Sequence, residues 1–142
     1  MKQMIHSCNT EIKQVDLKVT PARIAAMKLF ESHDKPFDAQ HLIEHLHNEL
    51  RIDRVTVFRI LNVFVEKGLI KKLTFGESKS MYELNKGEHH HLICQNCGKI
   101  EDVTDCNIGA LEKEISQKKN FLVKQHSLEF FGLCGNCQEK QN

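Results

Sequence analysis

The sequence predicts an α+β protein: an N-terminal winged helix-turn-helix domain, a short hinge, and a small C-terminal α/β domain stapled by four cysteines. Three observations predict it. Apolar residues follow a helical period up to Gly68, after which the period shortens to two. Asn85-Lys86-Gly87 interrupts the pattern with a polar stretch. Two Cys-x-x-Cys pairs then bracket the rest of the chain. The expected boundaries are 1–84 for the winged domain, 85–88 for the hinge and 89–142 for the second domain.

The elements follow in order. Residues 3–15 form a weakly amphipathic helix. Thr20 and Pro21 supply an N-cap and a first helical proline for a helix reaching about Ser32. Asp38 caps the next helix, with Leu42, Ile43, Leu46 and Leu50 on its apolar face. Asp53 caps a third, whose inner face is Val57, Leu61 and Phe64 and which Gly68 ends. Strands are expected over 69–75 and 80–84, around the turn Gly76-Glu77-Ser78-Lys79. Three helices and a β-hairpin are the order of a winged helix-turn-helix. Beyond the hinge come strands over 89–94 and 100–104, a helix over 107–119, a strand over 121–131 and a frayed polar tail after Cys137.

The chain has 142 residues and a formal net charge of +1. Residues 1–86 carry 14 Lys and Arg against 11 Asp and Glu, and the remainder carries 6 against 8. A basic part joined to an acidic part fits one DNA-facing unit and one cation-binding unit. No run of 18 apolar residues exists, and the N-terminus lacks a secretory apolar stretch, so a cytoplasmic protein without membrane spans is expected. Disulfides are rare there, so the cysteines need another explanation.

Cys94 and Cys97 form one pair, and Cys134 and Cys137 follow after 36 residues. Each pair places two thiolates on one tight turn, and two turns give the four tetrahedral sulfurs that structural Zn²⁺ prefers. A redox Cys-x-x-Cys would need a βαβ context, which is absent. Cys8 and Cys106 read as small apolar fillers.

Glu88-His89-His90-His91 precedes Cys94 in a strand-like stretch. Alternation sends His89 and His91 to one face and His90, with Glu88, to the other. One face could combine His89 and His91 with Glu83 and Asp102, and the other could combine Glu88 and His90 with His126, so that two metal sites on opposite faces are physically natural. His41, His45 and His47 read as a solvated helix face.

Leu17-Lys18-Val19-Thr20-x-x-Arg23, the run Arg54-Val55-Thr56-Val57-Phe58-Arg59-Ile60-Leu61-Asn62, His89-x-His91-Leu92-Ile93-Cys94-x-x-Cys97-Gly98-Lys99 and His126-Ser127-Leu128-Glu129-Phe130-Phe131-Gly132 together resemble the ferric uptake regulator family, in order and spacing, over about 15–137. The resemblance implies a winged-helix DNA-binding domain and a dimerisation domain. It implies a homodimer that represses transcription from palindromic operators when a divalent metal is bound. The implied regulatory site is Glu83, His89, His91 and Asp102, and the second is Glu88, His90 and His126. Two positions depart from the pattern. Many members place a histidine just before the helix that here starts near Asp38; this chain has Lys35-Pro36-Phe37-Asp38, with His33 as the nearest substitute. The second site often takes a glutamate from the long helix, where this chain has Gly109.

A helix over 53–67 in the major groove brings Thr56 to a thymine methyl, Phe58 to apolar groove surface and Arg59 to guanine or phosphate. Lys18, Arg23 and Arg54, with Lys71, Lys72 or Lys79 of the wing, are candidates for phosphate contacts. Two imidazoles and two carboxylates suit Fe²⁺ or Mn²⁺ and accept Zn²⁺. Iron is the favoured signal; peroxide, zinc and manganese sensing are the alternatives within the family. A zinc-dependent enzyme is the alternative outside it, without the His-Glu-x-x-His helix of a metalloprotease. A zinc-stapled protein-binding module would leave the 56–62 helix and the wing unexplained.

Overall fold

The structure, a computed structural model, describes residues 2–75, 79–104 and 106–141, with side chains from residue 8 onward. Gly76, Glu77 and Ser78 of the expected wing turn lie outside the described residues. The chain divides into two compact units, Met1–Asn85 and Lys86–Asn142. Among the described residues no helix is long and apolar enough to cross a membrane.

The first unit opens with α1 (Lys2–Gln14), which buries Cys8 and Ile12. Thr20 Oγ1 accepts the Arg23 backbone N–H at 3.2 Å and starts α2 (Pro21–Ser32). A two-residue strand follows, β1 (Phe37–Asp38). Asp38 Oδ1 accepts the His41 N–H at 3.0 Å and starts α3 (Ala39–Leu50). Asp53 Oδ1 accepts from Thr56 at 3.2 Å and starts α4 (Arg54–Glu66). The Thr56 hydroxyl, and then its backbone N–H, hold the exposed Asp53 carboxyl below the usual carboxylate range.

At the end of α4, Gly68 takes φ +75°, the Leu69 N–H donates to the Phe64 carbonyl and the Gly68 N–H to that of Val65. This is a Schellman closure, which needs a left-handed residue at that point. It turns the chain directly into β2 (Ile70–Phe75), which pairs antiparallel with β3 (Lys79–Leu84). Phe37 pairs with Tyr82, so the sheet order is β1-β3-β2.

The core lies between α1–α4 and this sheet. Phe30, Met27, Leu42, Leu46, Leu61 and Phe64 are fully or almost fully buried there, each contributing about 1.5–3 kcal/mol. Leu50, expected on the inner face of α3, is instead 40% exposed. It is the last residue of that helix, before Arg51 turns left-handed at φ 55°.

The second unit has β4 (His90–Cys94), β5 (Ile100–Val103), α5 (Ile108–Lys119), β6 (Glu129–Gly132) and α6 (Gly135–Lys140). Its sheet order is β5-β4-β6, antiparallel between β4 and β5 and parallel between β4 and β6. Two expectations are corrected. The strand expected over 121–131 forms only as Glu129–Gly132, because β4 pairs only with that end; Phe121 and Leu122 are exposed. The tail after Cys137 is not frayed throughout: it carries on α6 as far as Lys140.

Candidate metal centres and DNA-reading surface

Two turns deliver the four cysteines. The Gly98 N–H donates to the Cys94 carbonyl at 2.9 Å and the Cys94 N–H to the Lys99 carbonyl at 2.8 Å, with Gly98 left-handed at φ 77°. Cys134 immediately precedes α6, and Cys137 lies within it. The four sulfurs lie within 4.8 Å of one another, and Cys97 Sγ is 3.7 Å from Cys134 Sγ. Sulfurs bonded to one zinc at about 2.3 Å in a tetrahedron stand about 3.8 Å apart, so the donor set fits zinc.

N–H groups also point at the sulfurs: Cys134 N to Cys94 Sγ at 3.4 Å, and Asn96 Nδ2 to Cys137 Sγ at 3.2 Å. The backbone N–H groups of Cys134 and Cys97 pull the Cys94 thiol down to about 6. For Cys97 the Lys99 N–H lowers the value, but the sulfurs of Cys94 and Cys134 outweigh it and push the thiol up to about 11. By contrast, Cys8 is a buried filler: burial, then its bond to Glu31, push it up to about 12.

β4 carries His90 and His91, and His89 immediately precedes it. His89 and His91 meet edge to face, with ring centroids 4.8 Å apart. His91 is paired with Asp102 across β4 and β5, and its Nε2 is 3.7 Å from Asp102 Oδ1. His89 Nδ1 lies 3.2 Å from the Gly87 carbonyl, an outer contact that orients the ring. Glu83 sits on β3 of the first unit, buried and paired in register with Lys71.

On the other face His90 approaches His126, with centroids 5.1 Å apart. His126 Nδ1 is 2.5 Å from Glu112 Oε1. Glu112 was missed in the sequence, which drew attention to Gly109. Both lie on α5 three residues apart, so they share a helix face, and that spacing was the available signal. Glu88 is exposed on the approach to β4.

His33 does not sit alone. It follows α2 with its ring against Phe37 and His41. His41, expected on a solvated face, is exposed but has His33 Nε2 at 3.2 Å from its own Nε2. His45 pairs with Glu49 at 3.5 Å.

On α4 the residues Val57, Ile60, Leu61 and Phe64 are buried, and Arg54, Val55, Arg59 and Asn62 are exposed. Phe58 is half-buried against the core, and Arg54 lies over its ring at 5.4 Å. Arg54 also donates to Gln40 at 3.2 Å. Val55 is 56% exposed between two arginines and was not singled out in the sequence. Thr56 is partly buried at the first turn. Lys18 is exposed, and Arg23 is held by the Lys18 carbonyl at 2.8 Å. In the wing, Lys72 is exposed and Lys79 lies 3.8 Å from Asp38.

Residues 14–131 match the model of the ferric uptake regulator family. The chain is 32% identical over 136 residues to a ferric uptake regulation protein of Bordetella parapertussis, covering 94% of this chain and 98% of the relative. It is 33% identical to a peroxide-responsive repressor of Staphylococcus aureus, covering 91% and 88%. Its structure is similar to that of a ferric uptake regulator from Francisella tularensis solved with iron, with a TM-score of 0.74, 33% identity and coverage of 87% and 96%.

Proposed function

This chain belongs to the ferric uptake regulator family, and on that premise we propose that it is a metal-responsive, DNA-binding transcriptional repressor rather than an enzyme. The observation that carries the proposal is the donor arrangement along β4: alternate histidines at its start face two different donor sets, and the same strand ends at Cys94 of the cysteine cluster.

Cys94, Cys97, Cys134 and Cys137 hold a structural zinc. His89, His91 and Asp102 hold the regulatory ion, with Glu83 as the fourth donor. Glu83 is tethered to His89 through the five residues 84–88, a reach of at most about 20 Å. Nitrogen and oxygen donors without a thiolate favour Fe²⁺, accept Mn²⁺ and admit Zn²⁺. A bound divalent ion supplies strong bonds that draw these donors together. Glu83 belongs to the winged unit and the imidazoles to the other, so closing this set fixes the reach of a paired reader. The conformation so favoured is one of several, and the effect is limited by differential affinity for it. A second site takes His90 and His126, with Glu112 from α5 in the role left vacant at Gly109.

The reader is α4 in the major groove, with Thr56, Arg59 and the exposed Val55 towards base edges. Phe58 chiefly seats the helix and steadies Arg54. Lys18, Arg23, Arg54 and the wing lysines contact phosphates. The assembly is a homodimer on a palindromic duplex, acting in the cytoplasm. Its interface is the apolar surface of the second unit, where Leu92 is 43% exposed, Phe130 41%, Leu111 50% and Ile115 44%.

Fluorescence anisotropy with an AT-rich palindromic duplex tests the reading. Affinity rises on adding Fe²⁺ or Mn²⁺ to the zinc-containing protein. Equal affinity with and without every divalent ion refutes it. A second reading, peroxide sensing, draws on the Staphylococcus aureus relative. It requires peroxide to abolish DNA binding by the Fe²⁺-loaded protein and spare the Mn²⁺-loaded one.

A further inference from the structure

We propose that His33 and His41 form a divalent-cation site of their own, inside the first unit. It would take an imidazole-preferring ion such as Zn²⁺ or Ni²⁺, with water completing the shell. The geometry of the two rings carries this. His33 Nδ1 lies 2.9 Å from the Leu29 carbonyl oxygen. Only a protonated nitrogen is useful against a carbonyl, so in the neutral ring the proton sits on Nδ1 and Nε2 keeps its lone pair. Metal-binding histidines are held in the same way by a carbonyl on the far ring nitrogen. Ser32 reinforces it: its hydroxyl donates to the same Leu29 carbonyl at 2.8 Å and its oxygen lies 3.1 Å from Nδ1.

The nitrogen so left unprotonated lies 3.2 Å from His41 Nε2. Two imidazole nitrogens bonded to one ion at about 2.0–2.1 Å stand about 3.3 Å apart in a tetrahedron. The observed separation matches that of two nitrogens sharing an ion. Phe37 packs against both rings, at 5.0 and 5.1 Å between centroids, and holds them in place from one side. The nearest fixed carboxylate is Asp38, whose Oδ1 caps α3 through the His41 N–H and whose Oδ2 faces Lys79. It offsets the positive end of the helix at which the cation would sit.

His33 follows α2 and His41 is in the first turn of α3, so an ion here ties the two helices across β1. This assignment keeps His33 as a ligand but takes it away from the hinge set. It stands whether or not the hinge reading holds.

The test uses the full chain with its zinc retained. Ions bound per chain are counted by equilibrium dialysis against Zn²⁺, and the imidazole signals of His33 and His41 are followed by NMR. We expect both rings to respond together at the same equivalents. His33→Gln, His41→Gln and the double variant should each bind one ion fewer than the parent, and the same decrement should persist in a His89→Ala/His91→Ala background. The difference between that background and the wild type reads the hinge separately. An unchanged count in His41→Gln, or rings that respond independently or not at all, leaves only a hydrogen bond between imidazoles and overturns the proposal.

Discussion

The first unit buries Phe30, Met27, Leu42, Leu61 and Phe64 between four helices and a sheet, whereas α5 of the second unit buries no residue. Among the described residues of the second unit the buried apolar side chains are Cys94 and Cys137. Leu92, Phe130, Phe131, Leu111 and Ile115 are exposed instead. A unit of this size cannot fold on a ladder of three short strands alone. The contrast teaches that one half is stable by burial, while the other draws on ligation and, in the proposed homodimer, on contact with a second copy. A regulator gains from this division, because its ligand-dependent half is the one with little stability of its own.

The largest effect should come from the ligands. Structural zinc supplies about 10–16 kcal/mol of apparent binding energy at neutral pH, so Cys94→Ser should unfold the second unit and leave the first folded. NMR should show the signals of residues 89–140 collapse while those of the α2–α4 core persist. A Cys94→Ser protein with an intact second sheet breaks the comparison. Phe64→Ala should act in the opposite sense, lowering the stability of the first unit by about 3–5 kcal/mol. Urea unfolding should register that loss while zinc content stays constant. Leu92→Asp should leave both units folded and weaken the dimer at least tenfold in sedimentation equilibrium, since a charge replaces interfacial apolar area of about 1.5–3 kcal/mol per side chain.

The smallest effect concerns a carboxyl pair between α1 and α2. Burial, then the charge of Glu31, hold the Glu11 carboxyl above its usual range. The folded state therefore keeps this proton more tightly than the unfolded chain does. Stability of the first unit should fall as pH rises through the interval above the ordinary glutamate value of 4.5. Glu11→Gln should remove that fall and shift the urea midpoint slightly upward at pH 7, with little change at pH 4. An unchanged midpoint at both values removes the electrostatic account.

Much of this was legible in the sequence because the signals are local. Thr20, Asp38 and Asp53 announce helices by their own side chains, and Gly68 announces an end by its φ. The opposite facing of His90 and His91 follows from strand geometry alone, and the Cys-x-x-Cys turns need only four residues each. What was not legible depends on partners distant in sequence. β1 has two residues and no period; it exists because Phe37 meets Tyr82. The stretch before Glu129 has strand-like composition, yet among the described residues no strand pairs with it. Glu112 reaches His126 across 14 residues, and the His33–His41 contact crosses the connection between two helices. Periodicity holds no information about either pair.

The central claim is that a donor from the winged unit and donors from the other unit act on one regulatory ion. Glu83→Gln tests it most directly, because Glu83 is the one proposed regulatory ligand on the first unit's sheet. DNA affinity should be measured by anisotropy with and without Fe²⁺ or Mn²⁺, on protein confirmed as a zinc-containing dimer. The account predicts a folded dimer whose weak DNA binding the ion no longer strengthens. A Glu83→Gln dimer that answers the ion as the wild type does would contradict it.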